Sequence, residues 1–287
     1  MHRTPVVGSG DRAHVVRRWA VVFAVLIGDL CAPAAQTPDV SLDGKVDTRV
    51  ETGYLSSSGT LIDTRPSLEH QLDLTLHLAE YGRLTACGWV ISALHGGRDR
   101  DHRRALYLYE STVGYGYDVT FSESLDFCNE AGIVWDSPWG YKDYSQEEVA
   151  WWYRNSLENP LIVPYTETIG LFSPDRWVRV ALGLRRAFKV CDSVSVMPFV
   201  ETVWGNSDRY CAQYGETPSH RFLGGAFMTM TPGVRIDWNF FGNWIAWFRF
   251  REFVTVDPQA RTVVSRQTEY YQQNEAEIFS LGLSYCF

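Results

Sequence analysis

Segments of about ten residues in which apolar and polar side chains alternate recur along most of this chain, separated by turn signals. That feature narrows the fold more than any other. In the clearest of them Leu68, His70, Leu72, Leu74, Leu76 and Leu78 share one phase, and Glu69, Gln71, Asp73, Thr75 and His77 take the other. A period of two is the period of a β-strand, whose successive side chains point to opposite faces. The final segment, EIFSLGLSYCF, behaves the same way. Phe279, Leu281, Leu283, Tyr285 and Phe287 point one way, and a mostly small set (Ile278, Ser280, Gly282, Ser284, Cys286) points the other.

The opposite end of the sequence reads differently. Arg12, Arg17 and Arg18 precede the apolar run Trp19 to Gly28, and the small residues of CAPAA follow. A positive flank, a short apolar run and a small-residue cleavage site make a secretory signal peptide. Residues 1–34 are therefore read as the leader and 35–287 as the mature domain. Cys31 is not a lipid-anchor site, because Asp29 and Leu30 stand where small residues are needed. The run is too short to span a bilayer, which takes about 20 apolar residues. No later segment is apolar for longer.

Lys and Arg total 26 against 34 Asp and Glu, a net charge of −8, and removing the arginine-rich leader leaves the remainder more acidic still. That balance argues against a nucleic-acid partner, which calls for a basic face. Aromatic residues make up 14% of the chain and sit in alternating runs rather than helical stripes.

Connection lengths organise the segments. SQEEVAWWYRNSLENP opens like a helix, with Ser145 and Glu148 spaced as a capping box. Read as a strand over 147–156 it fits better. All short turns (81–83, 117–119, 157–160, 189–192, 239–243) then fall at one end. The longer connections (55–66, 95–104, 130–146, 205–219, 257–274) fall at the other, with 171–175 the one short exception. Short periplasmic turns and long outer loops are the arrangement of an outer-membrane barrel. The strand at 119–128 is interrupted by Glu123 on its apolar face, a place for a bulge. The expectation is an all-β, transmembrane up-and-down antiparallel barrel of about 12 strands, an even number, with both termini periplasmic. A water-soluble β-sandwich would also alternate, but its strands average about 5–6 residues.

An aromatic residue closing an alternating last strand resembles the signal read by barrel-assembly machinery in Gram-negative-type envelopes, here Tyr285 and Phe287. The layout of EEVAWWYRNSLENPLIVPYTETIGLF followed by RWVRVALGLRRAF resembles TorF-type porins. The resemblance implies the barrel class and carries over no functional residue.

The phase opposite the apolar faces is charged and mixed in sign. Early strands contribute Arg49, Glu51, Glu69, Asp73 and His77. Later ones contribute Glu167, Arg179, Arg185, Glu201, Arg235, Asp237, Arg249 and Arg251. These are the pore-lining candidates. Acid dominates the early strands and arginine the late ones, so a transverse field across the lumen is expected. Two functions fit: a channel for small charged solutes, whose wall selects as charged rings do, or a closed barrel serving as scaffold or adhesin. A lipid hydrolase is a third reading. The chain has neither a Gly-x-Ser-x-Gly elbow nor a His-Glu-x-x-His zinc site, so no catalytic residue, metal or cofactor is assigned. HGGRDRDHRR, 95–104, has the residue types of a metal or phosphate site, but reads better as a basic outer loop that touches lipopolysaccharide or is simply solvated. The expected partners are outer-membrane lipid, lipopolysaccharide and the assembly machinery. The mature part carries five cysteines, an odd number. Cys128 and Cys211, both expected at the outer rim, are the candidate disulfide.

Overall fold

The structure, a computed structural model, describes residues 40–55, 61–63, 66–94, 106–138, 148–172, 177–206, 225–264 and 273–287. The leader read in residues 1–34 lies outside them. The alternating segments all form strands: β1 Ser41–Glu51, β2 Tyr54–Leu55, β3 Leu61–Asp63, β4 Ser67–His77, β5 Arg83–Ala93, β6 Leu106–Ser122 and β7 Leu125–Pro138. They continue as β8 Glu148–Glu158, β9 Val163–Leu171, β10 Val178–Arg185, β11 Phe188–Cys191, β12 Val194–Gly205, β13 Ala226–Phe241, β14 Trp244–Thr255 and β15 Glu275–Cys286.

Each wall strand pairs antiparallel with its neighbours in chain order, skipping only β2 and β3, which form a separate small hairpin. Strands β10 and β11 both pair with β12 and are parted only at Arg186 and Ala187, so together they make one wall strand. Arg186 N still donates to Pro198 O at 3.2 Å across that break. The wall is thus a closed barrel of twelve strands. The seam joins β15 to β1, with Lys45 opposite Cys286 and Glu51 opposite Ser280. Phe287 extends it: its N–H donates to Gly44 O at 2.9 Å, and Gly44 N–H donates to Phe287 O at 2.8 Å. Among the described residues every wall strand has a neighbour on both sides, as hydrocarbon surroundings require.

The described part of the segment read as 147–156 belongs to β8, Glu148–Glu158, and the helical alternative is set aside. Four of the five connections expected to be short are short turns at or next to the expected places. One is the 3-10 turn Ala79–Tyr81, and another centres on Gly242, whose φ of 51° lies in the left-handed region. At 159–162 the Asn159 carboxamide folds the turn, accepting from the N–H groups of Leu161 and Ile162 at 3.0 Å each. One turn is displaced from its expected place. β6 runs through 117–119 without a break and turns at Glu123 and Ser124. β7 then continues to Pro138, into a stretch expected to be loop.

Each wall strand turns an apolar phase outward. On β15 the side chains of Phe279, Leu281, Leu283, Tyr285 and Phe287 are all exposed, Leu281 to 66%, while Ile278, Ser280 and Ser284 are buried. Exposed aromatics gather toward the short-turn end, among them Phe121, Trp238, Phe240, Phe241 and Phe287. This is an inside-out distribution for a protein in water, and the expected one for a barrel whose outer face meets lipid.

Candidate functional site in the barrel lumen

The small inward phase of β15 explains how the lumen is organised. Ser280, Gly282 and Ser284 leave room for the long side chains of β14 to reach over them to the carboxylates of β1. The Trp247 ring occupies the space a Cβ on Gly282 would need, with ring atoms 2.3 Å from that position. Its Nε1 donates to Asp47 Oδ1 at 3.3 Å and to Ser284 Oγ at 3.2 Å. Arg249 Nη2 donates to Glu51 Oε1 at 2.5 Å, and Arg251 Nη2 to Glu51 Oε2 at 2.7 Å. Ser280 Oγ adds a third donor at 3.0 Å, and Arg49 stands 3.3 Å away. Glu51, 1% exposed, is therefore a hub for three guanidinium groups.

Arg49 also links the hub to β4. It bonds Glu69 through Nε at 2.8 Å and Nη2 at 2.5 Å, and Glu69 accepts from Trp89 Nε1 at 3.1 Å. A second network lies across the lumen on β8, β9 and β10. Glu167 accepts from buried Arg179 at 2.9 and 3.0 Å and from Arg154. Nearer the short turns, Arg185 pairs with Glu158 at 2.7 Å, and Tyr165 donates to Glu201 at 3.0 Å. Arg235 pairs with Asp237 at 2.6 Å.

A common layering supports these guanidinium groups. The Trp152 ring fills the space beside Gly114, and the Tyr165 ring that beside Gly183, as Trp247 does at Gly282. Arginines stack on the same rings: Arg154 on Trp152 at 4.9 Å, Arg185 on Tyr165 at 5.5 Å, and Arg235 on Trp247 at 4.6 Å. Glycine in the wall lets the ring lie close, and the ring holds the cation by its π face. The result is a fixed array of charge rather than a set of free-swinging side chains.

The structure brings together most of the residues singled out from the alternation. Arg49, Glu51, Glu69, Arg249 and Arg251 form one network, and Glu167 and Arg179 belong to the other. Asp73 accepts from Gln71 Nε2 at 2.8 Å, and His77 pairs with Asp43 at 2.9 Å near the short-turn end. Asp47, Arg83, Glu110, Glu130, Arg154 and the ring of Trp247 were not singled out. All stand on the inward phase of their strands, and the alternation carried the signal for them except Arg83 and Glu130, which fall in stretches read as turn and loop.

The expected transverse field needs correction for Glu51 and Glu69. Barrel closure leaves only β15 between β1 and β14, so Glu51 neutralises Arg249 and Arg251 instead of facing them, while Glu69 is taken up by Arg49 beside it. The proposed Cys128–Cys211 bridge also changes. Cys128 is a free thiol opposite Asp118 and Ser156, close to the short-turn end rather than at the rim expected for it. Cys211 lies outside the described residues, as do His95, His102, His220 and the basic stretch 95–104. His70 faces outward, with Nδ1 3.0 Å from Thr48 Oγ1. Among the described residues no cluster has the ligands to hold a metal ion.

At the short-turn end the interior opens outward through a wide-mouthed pocket of about 470 Å³ lined by Asp43, Lys45, Asp73 and Thr75 of β1 and β4, with Gly44, Asn243, Cys286 and Phe287 at its rim. The Arg154 side chain is 50% exposed although it belongs to the inward phase, so interior space reaches it.

An outer-membrane channel from Pseudomonas putida F1 aligns with 88% of this chain and 97% of its own length, at a TM-score of 0.50 and 11% identity. The fold is that of an outer-membrane β-barrel. The chain is also similar to the KdgM porin (TM-score 0.46, 12% identity, 85% of this chain and 99% of that one). A TodX monoaromatic hydrocarbon channel variant gives a TM-score of 0.45 at 10% identity, over 86% and 90% of the two chains. No protein-family model matches the sequence, and no curated protein matches it.

Proposed function

We propose that this protein is an outer-membrane channel for small, charged solutes. One observation carries the reading: strands with an apolar outer face turn mixed charge inward, and part of that charge is exposed to interior space. Arg154, Arg185 and Glu158 all keep substantial exposure inside the barrel. Charge held in this way next to water selects permeating ions and dipolar solutes. Planar-bilayer recording of the refolded full chain tests it. Stepwise conductance is expected, and a protein that inserts but never conducts would overturn the reading.

A closed barrel acting as scaffold or adhesin is the second reading. It is favoured by the burial of Glu51, Glu69 and Arg179, whose charges are met by partners within the wall. The same recording separates the two. In either case the short turns are assigned to the periplasm with both chain ends, and the long connections to the outside. The likeness of layout to TorF-type porins belongs to this proposal as well.

Assembly is assigned to the terminal aromatic pair. Tyr285 and Phe287 stack with centroids 6.2 Å apart, and the Phe287 ring covers Gly44 on the first strand. Deleting Phe287 removes both hydrogen bonds to Gly44 and that ring. The expected result is normal export with a several-fold drop in heat-modifiable barrel on unboiled gels. Unchanged assembly would reduce the terminal pattern to ordinary strand packing.

A further inference from the structure

The seam network holds more guanidinium than its geometry satisfies. Arg249 lies directly opposite Arg235 in the β13–β14 register, and Arg251 is two residues further along the same face. Like charges placed directly across a strand pair are destabilising unless an anion sits between them. Each cation is met by its own acid: Arg235 pairs with Asp237, while Glu51 is shared among Arg49, Arg249 and Arg251. Arg249 Nε and Arg251 Nε nevertheless remain buried without any hydrogen-bond partner, and the Arg251 side chain is 10% exposed. Buried donors are paired in the great majority of cases, so two orphans in one cluster want an explanation.

We propose that Arg49, Arg249 and Arg251 form a binding station for the carboxylate group of a solute, with Glu51 as a tethered stand-in that the solute displaces. The inference rests on the channel reading and names the solute class. A guanidinium presents a planar fork of five N–H donors suited to two carboxylate oxygens, and Nε takes part in that fork. Here Glu51 reaches Arg249 and Arg251 only through Nη2, leaving the Nε donor of each unused. An incoming carboxylate using the Nε edge satisfies the orphaned donors while Glu51 moves aside. A tethered carboxylate competes at an effective concentration on the order of millimolar. Binding in the native protein is therefore weak and quickly reversed, as conduction requires.

The test is calorimetric titration of the refolded full chain in detergent micelles with glutarate at low salt. Glu51→Gln removes the competing charge and is expected to tighten glutarate binding at least tenfold. Adding Arg251→Gln is expected to abolish that gain. An assembled Glu51→Gln barrel that binds no more tightly than the native protein overturns the station, as does a gain that survives Arg251→Gln. Should Glu51→Gln fail to assemble, Ser280→Ala removes one donor from Glu51 and is expected to raise affinity several-fold; no rise overturns the proposal. The titration does not depend on conduction. A barrel that binds glutarate in this pattern but does not conduct refutes the channel and leaves the station. A conducting barrel indifferent to Glu51→Gln refutes the station alone.

Discussion

Converting both Arg249 and Arg251 to glutamate should abolish most barrel assembly rather than retune an intact pore. Both arginines donate to the one Glu51 carboxylate, which is nearly inaccessible. Removing one partner of a buried ion pair costs about 3–5 kcal/mol, because the remaining charge is left uncompensated. Reversal adds repulsion among three carboxylates on neighbouring strands. Since about 1.4 kcal/mol is a factor of ten in an equilibrium constant, the heat-modifiable form should fall more than tenfold at intermediate denaturant. Adding Glu51→Arg to the double variant places one cation between two anions and should restore most of it. Assembly at the native level by the double variant, with only selectivity altered, would mean the hub contributes nothing to holding the seam.

Leu281→Arg should be almost as damaging, although Leu281 is the most exposed of the large apolar side chains of β15. An arginine on the lipid face near the bilayer midplane costs about 2–4 kcal/mol. Thr75→Arg is the paired control. Thr75 lines the pocket beside Asp43 and Asp73, where an added cation meets acid and water. Assembly yield into liposomes should drop sharply for Leu281→Arg and little for Thr75→Arg. The opposite ranking is what a water-soluble barrel with a dry core would give.

The barrel was legible because a period of two, repeated over long segments, leaves few alternatives. Strand phase was right even where strand limits were not. The displaced turn has a physical cause. The run Gly114-Tyr115-Gly116-Tyr117-Asp118 carries turn-forming residues, yet its glycines serve side-chain packing inside a strand. Trp152 lies against Gly114, and the Arg83 side chain, which pairs with Asp118, lies against Gly116. The real turn, Glu123 and Ser124, has no glycine to announce it. Cys128 was assigned to the wrong end of the barrel by the same displacement.

The site was legible as a set of side chains and not as a network. Alternation shows that Glu51 and Arg251 both point inward. Only closure of the barrel shows that residues 200 positions apart share a hydrogen bond. The small phase of β15 looked featureless in sequence because its role lies in what it leaves open. The aromatic layering was equally hidden, since each stack joins a glycine, a ring and an arginine drawn from at least two strands.

The central claim is that the apolar face of this barrel lies in lipid while the charged face encloses water. Nitroxide labels at Leu281→Cys and Thr75→Cys of the protein refolded into liposomes test it directly, by comparing collisions with oxygen and with a water-soluble nickel chelate. The account predicts high oxygen and negligible nickel accessibility at position 281, with clear nickel accessibility at position 75. Strong nickel accessibility at position 281 would contradict it.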